Sequence, residues 1–213
     1  MISMRIIHGL LLNLQFKGKI TQNKMDLRQA LCSIKHLSDT TFRKLSEMAE
    51  VRSVKKGECI IRQGRIDNNF IVIKEGIFRL WFIANGKERT IGFGCAGDPF
   101  TSIATYRSGE QSIFSFEAVT DAEVYLMSQS DIKALIAEDR DFADWMSAYL
   151  FEQLDALYRK EVIFGTYNAT KRFETFVLNR PEIYKSVPSK YLAQYLNIAP
   201  ETLSRIQSSL IKK

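Results

Sequence analysis

Between Val51 and Met127, short apolar segments alternate with glycine-bearing turns. The turns are Lys56-Gly57, Gln63-Gly64, Glu75-Gly76, Asn85-Gly86 and the stretch Gly94 to Gly97. Between and beyond them lie Cys59–Arg62, Phe70–Lys74, Ile77–Ile83, Arg89–Phe93, Ile113–Ala118 and Glu123–Met127, rich in Ile, Val and Phe. Such spacing predicts an antiparallel sandwich, jelly roll or barrel. Asn85-Gly86 predicts a two-residue hairpin turn, because both residues tolerate positive φ.

The pattern on either side has a helical period. Asp26 to Glu50 reads as helix, with Ser38 or Asp39 as a cap and Phe42, Leu45, Met48 and Ala49 on one face. Ser130 opens a second helical region. From Asp139 to about Asn168 there is no proline, and Trp145, Ala148, Phe151, Leu154, Tyr158 and Val162 recur at three- and four-residue steps. This predicts one long amphipathic helix. Its stripe can pack on its own β-domain or meet its twin in a two-fold dimer, with Trp145, Phe151, Leu154 and Tyr158 as the candidate contact residues. From Thr170 the chain is helical again, broken at Arg180-Pro181 and Val187-Pro188.

Pro188 to Leu210 carries the sharpest local signal, that of a helix-turn-helix. Two short helices that cross closely need a small residue at the crossing, which Ala193 supplies. Leu192, Leu196, Ile198, Leu203 and Ile206 stand at the spacings that face a shared core. Asn197 suits the left-handed turn position, and Pro200 suits the first turn of the second helix. The exposed face of that helix then carries Glu201, Thr202, Ser204, Arg205 and Ser208. Arg205 is matched to guanine O6 and N7, and Glu201 to cytosine N4. Ser189, Tyr191, Thr202 and Lys171 are candidate phosphate contacts. The plain alternative is a helical hairpin with solvated polar residues.

Charge strengthens the first reading. The chain has 213 residues, 46% hydrophobic and 25% charged, with a net charge of +6. From Ala169 onward eight Lys and Arg stand against three Glu, so five of those six charges lie in the last 45 residues. A basic terminal module on a near-neutral body suggests a polyanionic partner. Cys32, Cys59 and Cys95 are scattered and odd in number, which argues for free thiols in a reducing cytoplasm and against a disulfide framework or structural zinc. The apolar run Ile6 to Leu14 is too short to span a bilayer, and no small-residue cleavage site follows it. Residues 1–24 read as an N-terminal extension, with Met25 as an alternative start.

The order of a glycine-punctuated β-domain, a long helix and a C-terminal helix-turn-helix resembles the cyclic-AMP receptor protein/Fnr (Crp/Fnr) family of bacterial regulators. The motifs carrying the resemblance are Lys56-Gly57-Glu58, Arg62-Gln63-Gly64, Ile73-Lys74-Glu75-Gly76, Gly97-Asp98-Pro99-Phe100, and Pro200-Glu201-Thr202-Leu203-Ser204-Arg205-Ile206. It implies an α+β fold with a cyclic-nucleotide-binding-like β jelly-roll at 25–138, a dimerisation helix at 139–168 and a helix-turn-helix domain at 169–213. It also implies a homodimer on double-stranded DNA, base reading by Glu201 and Arg205, and RNA polymerase and a small effector as further candidate partners. Many such regulators continue past the recognition helix into a β wing; a sequence ending at Lys213 either lacks that wing or is truncated before it.

The effector site departs from the family pattern. Members that bind cyclic nucleotides follow the Gly-Asp-x-Phe motif with a Glu for the ribose, and place an Arg further on for the cyclic phosphate. Here the loop runs Phe100-Thr101-Ser102-Ile103-Ala104-Thr105-Tyr106, and the Arg position falls near Ser112. Serine does not replace a bidentate arginine. The resemblance therefore points to a pocket near Phe100, Thr101, Ser102, Arg107 and Ser112 that takes another small molecule or none, and argues against cyclic AMP. Three scattered cysteines do not match the iron–sulfur sensors of the family. His8 and His36 both precede the barrel strands and are poorly placed for haem. No cofactor, metal site or catalytic residue is expected. A cupin-type metalloenzyme would need histidines inside the barrel, and none occurs between Val51 and Met127. A cyclic-nucleotide-type module acting through protein partners is the remaining alternative.

Overall fold

The computed structural model describes residues 24–211, with side chains for 24–209. Apart from Lys24, the expected extension over residues 1–24 lies outside the described residues. The chain enters through Met25, whose N–H donates to the Lys74 carbonyl. Helix α1 (Leu27–Ile34) is capped by the Asp26 carboxylate, and α2 (Asp39–Met48) by the Ser38 hydroxyl. A break at Lys35–Ser38 divides what the periodicity predicts as one helical region.

Eight strands follow: β1 (Glu50–Val54), β2 (Cys59–Ile61), β3 (Asn69–Glu75), β4 (Ile77–Ala84), β5 (Lys87–Cys95), β6 (Pro99–Thr101), β7 (Ser115–Ala118) and β8 (Ala122–Ser128). A short helix, α3 (Ile103–Ser108), lies between β6 and β7. The strands form two antiparallel four-stranded sheets, ordered β1-β8-β3-β6 and β2-β7-β4-β5. Ala84 pairs with Lys87 across Asn85-Gly86, both at positive φ, which is the expected hairpin turn. At Gly76 (φ +99°) an added Cβ would stand 2.5 Å from the Ala122 Cβ, so the turn between β3 and β4 requires glycine.

Strand β3 shows how the core is divided. Ile71 and Ile73 point into the space between the sheets, with Val54, Phe78, Phe116 and Val124. Phe70 and Val72 point the other way, into a second core with Leu31, Leu45, Met127 and Trp145. Both faces are therefore buried, which is why Phe70 to Ile73 read as an unbroken apolar run rather than an alternation.

Helix α4 (Gln129–Glu138) leads into α5 (Arg140–Thr166), 27 residues and about 40 Å long. Asp139 caps α5, accepting from the Phe142 N–H, the Thr41 hydroxyl and Lys44 Nζ at 2.8 Å. The first half of α5 belongs to the second core. Phe142, Trp145 and Tyr149 stack in sequence with centroids 5.5 and 5.7 Å apart. The Trp145 indole N–H donates to the Leu31 carbonyl at 2.8 Å, and the Tyr149 hydroxyl to the Pro99 carbonyl. Beyond Tyr149 the helix loses that cover.

Four more helices complete the described residues: α6 (Ala169–Asn179), α7 (Pro181–Ser186), α8 (Ser189–Leu196) and α9 (Pro200–Ile211). Their own core joins Phe173, Phe176, Ile183, Leu192, Ala193, Leu196, Leu203 and Ile206. Ile77 and Val119 of the β-domain belong to the same cluster, so the helical module is packed onto the sheet that contains β4 and β5.

Candidate nucleic-acid interface

Helices α8 and α9 are joined by Asn197 to Ala199. Asn197 adopts the left-handed conformation (φ 53°, ψ 52°), and its N–H bonds back to the end of α8. Ala193 is fully enclosed at the crossing. Leu203 and Ile206 turn inward while Glu201, Ser204, Arg205 and Ser208 are exposed and Thr202 is partly so. One guanidinium nitrogen of Arg205 donates to the Thr202 hydroxyl at 3.3 Å, which lays the side chain along the outer face of α9. This face presents a fork of donors, a carboxylate acceptor and three hydroxyls, the chemistry that base edges and phosphates require.

The other candidate phosphate contacts divide. Ser189 is exposed at the first residue of α8, and Lys171 sits in the first turn of α6, 3.7 Å from Glu174. Tyr191 departs from the expectation: its ring faces the β-domain and covers the Arg79 guanidinium at 3.8 Å. In this arrangement it is a docking residue.

That docking surface was not anticipated from sequence. The Arg79 side chain is only 3% exposed, held by Glu117 on two nitrogens and by Glu88 on the third, with Trp81 and Tyr191 against it. The Gln194 side-chain carbonyl accepts from both the N–H and the hydroxyl of Thr90. Arg180 reaches across to Cys95 Sγ at 3.1 Å and Asp98 at 3.5 Å. Burial, followed by the nearby Asp98 carboxylate, pushes the Cys95 thiol up to about 12, so it remains an unreactive thiol. A signal did exist: from Ile77 to Ile83, β4 is almost continuously apolar with one arginine. Buried on one face only, it would alternate.

The five residues expected around an effector are placed as follows. The Phe100 ring stacks on Phe116 at 4.0 Å. Thr101 donates to the Asn69 carbonyl and accepts from Gln129 Nε2. Ser102 caps α3, and the Ser112 hydroxyl donates to the Phe114 carbonyl. Arg107 is exposed beside Glu110. Four of the five are thus engaged inside the domain. Gly94 tightens the interior further, since a Cβ there would meet Ile73 at 2.9 Å and Phe116 at 3.2 Å. Among the described residues, no group of three or more His, Cys, Asp or Glu is placed to hold a metal ion.

Trp145 is corrected as a candidate dimer contact. It is fully buried and has no surface to offer a partner. The exposed apolar stripe starts later on α5, at Leu150, Phe151, Leu154, Leu157, Tyr158 and Val162, with Phe151 72% exposed. No helix among the described residues is long and apolar enough to cross a membrane.

Residues 51–139 match the cyclic nucleotide-binding domain family. No curated protein matches the sequence. Among solved structures, FixK2 from Bradyrhizobium japonicum superposes with a TM-score of 0.67 at 22% identity, over 77% of this chain and 85% of that one. The Thermus thermophilus catabolite activator protein gives 0.54 at 20%, over 86% and 87%. A protein from Eubacterium rectale, described as a transcriptional regulator of the Crp/Fnr family, gives 0.65 at 16%, over 80% and 82%. The chain shares with them an α+β fold: a cyclic nucleotide-binding domain followed by helices in a Crp/Fnr-like order.

Proposed function

We propose that this Crp/Fnr-like chain is a DNA-binding transcription regulator divided into a β-domain (25–138), a dimerisation helix (139–168) and a helix-turn-helix domain (169–213). The outer face of α9 carries the reading. It holds Glu201, Thr202, Ser204 and Arg205 outward over a buried apolar face, in the basic part of the chain. A homodimer forms along the exposed stripe of α5, through Phe151, Leu154 and Tyr158. It sets two α9 helices into successive major grooves of a roughly palindromic site. Arg205 and Glu201 read bases, and Lys171, Ser189 and Thr202 hold phosphates.

Regulation is a shift between two states. In the docked state, Tyr191 lies on Arg79 and Gln194 on Thr90, so the β-domain fixes the position of α8 and hence of α9. An effector acts by favouring or releasing that contact. Cyclic AMP does not fit this reading, because counting along the sequence puts the family's phosphate-binding arginine near Ser112, a serine that is buried and bonded to the Phe114 carbonyl. The chain has no catalytic role in this reading, and RNA polymerase is the partner once DNA is bound.

Fluorescence anisotropy with duplexes from around the protein's own gene tests the reading. Binding that weakens steeply between 50 and 200 mM salt is expected of a protein that neutralises several phosphates. If no duplex shows salt-sensitive binding, the module acts through protein partners instead.

A further inference from the structure

A cleft of about 270 Å³ lies where β5, the second half of α5 and helices α6 to α8 meet, away from all five residues expected around a family-type effector. Its walls are mostly apolar and include Phe93, Phe164, Phe176 and Tyr195. Two cations stand over one of those rings. Lys160 Nζ is 5.6 Å from the Phe164 centroid, and the Arg172 guanidinium carbon is 5.2 Å from it. The other cations at the cleft are already neutralised: Arg159 by Asp155, and Arg180 by Asp98 and Glu182.

Lys160 and Arg172 differ from these. Lys160 Nζ donates to the Ile91 carbonyl at 2.6 Å, and no carboxylate lies within ion-pair distance of it among the described residues. Arg172 Nε is fully buried, yet its N–H has no acceptor. A buried cationic donor without an acceptor is costly, and native structures rarely leave one unexplained. Burial also lowers the affinity of Lys160 for its proton, a penalty that a nearby anion would relieve.

We propose that this cleft binds a small aromatic carboxylate, whose anionic end is held by Arg172 and Lys160 and whose ring packs among Phe93, Phe164, Phe176 and Tyr195. The two cations are opposite in sign to a carboxylate and offer one donor to each of its oxygens, and four aromatic walls favour a flat ring over a flexible chain. The volume sits at the small end for ligand sites, which suits one or two rings. Such a ligand touches the β-domain, the long helix and the helical module together. The site stands whether or not α9 binds DNA.

Titration calorimetry on the full chain with 2-naphthoate tests it, with 2-naphthamide as the uncharged counterpart. Saturable binding at one per chain is expected, about tenfold or more tighter for the acid than for the amide. Arg172→Gln should weaken the acid by a similar factor. Ala156→Phe, which fills the cleft without touching its charges, should abolish binding. Arg107→Gln, in the other candidate pocket, should change nothing. No saturable binding, equal affinity for acid and amide, or undiminished binding in Ala156→Phe would each overturn the proposal. If Arg172→Gln fails to fold, the acid–amide comparison on the unaltered protein still decides. Because none of these readouts involves DNA, a negative result leaves the DNA-binding reading standing, and the converse holds too.

Discussion

The guanidinium of Arg79, on β4, lies 3.8 Å from the ring centroid of Tyr191, on α8, and joins two regions more than a hundred residues apart. Glu117 and Glu88 hold the charge in place, and Trp81 packs on it 4.7 Å away. A cation shielded from water by a ring gains more than an exposed one. This contact ties α8, the helix ahead of α9, to the sheet.

Arg79→Met should destabilise the protein by about 3–5 kcal/mol in urea unfolding, because it leaves the largely buried Glu117 without its partner. Tyr191→Phe keeps the ring and should be nearly silent, whereas Tyr191→Ala should cost about 2 kcal/mol. Equal effects from Phe and Ala would remove the ring from the account.

Arg205→Ala and Lys171→Ala should weaken DNA binding in different ways. The first should relax preference at one base pair by about 1–3 kcal/mol of discrimination. The second should weaken all duplexes alike and reduce the salt slope by about one. Anisotropy on matched and mismatched duplexes separates them, and identical profiles would contradict the assigned roles.

Trp145 and Phe151 stand six residues apart on α5, on different faces, and should answer differently to mutation. Trp145→Phe removes the indole donor from the buried Leu31 carbonyl and leaves it only the Lys35 N–H at 3.4 Å, costing about 0.5–1.5 kcal/mol of stability with oligomeric state unchanged. Phe151→Glu should leave the fold intact and shift sedimentation toward monomer. Dimers persisting in Phe151→Glu would move the interface elsewhere.

Lys44, the largest influence, holds the Asp139 carboxyl below the usual carboxylate range, helped by the Phe142 N–H and Thr41 against the opposing effect of burial. A lowered folded-state pKa gives stability that is fully present above the unfolded value of about 4 and is lost as pH falls through the folded value. Asp139→Asn should therefore flatten the acid side of a stability–pH profile while keeping a helix cap. An unchanged acid limb would show that other carboxylates govern acid unfolding.

Calorimetric titration with cyclic AMP should give no saturable heat at millimolar ligand. Phe100 stacks on Phe116, and Ser112, near the position to which the family resemblance assigns a phosphate-binding arginine, is buried and bonded to the Phe114 carbonyl. Tight binding would mean that the β-domain opens around the ligand.

What the sequence alone determined was local. The Asn85-Gly86 turn, the proline-free run that became α5, a cap at Ser38 or Asp39, and the crossing at Ala193 all follow from contacts within a few residues, so their spacing is written in the chain. Tertiary structure decided what covers each face. The apolar stripe of α5 keeps one period from Phe142 to Val162, yet its first half is core and its second half is bare, because α1 and the outer face of β3 cover only the first. Periodicity marks an apolar face; it does not say what lies against it. Tyr191 and Arg79 are the sharper case. Each alone reads as a surface residue, and only the docking of α8 onto β4 makes one the cover of the other. The cleft is likewise made of segments distant in sequence, and nothing in their spacing brings Phe93 of β5 against Phe176 and Tyr195.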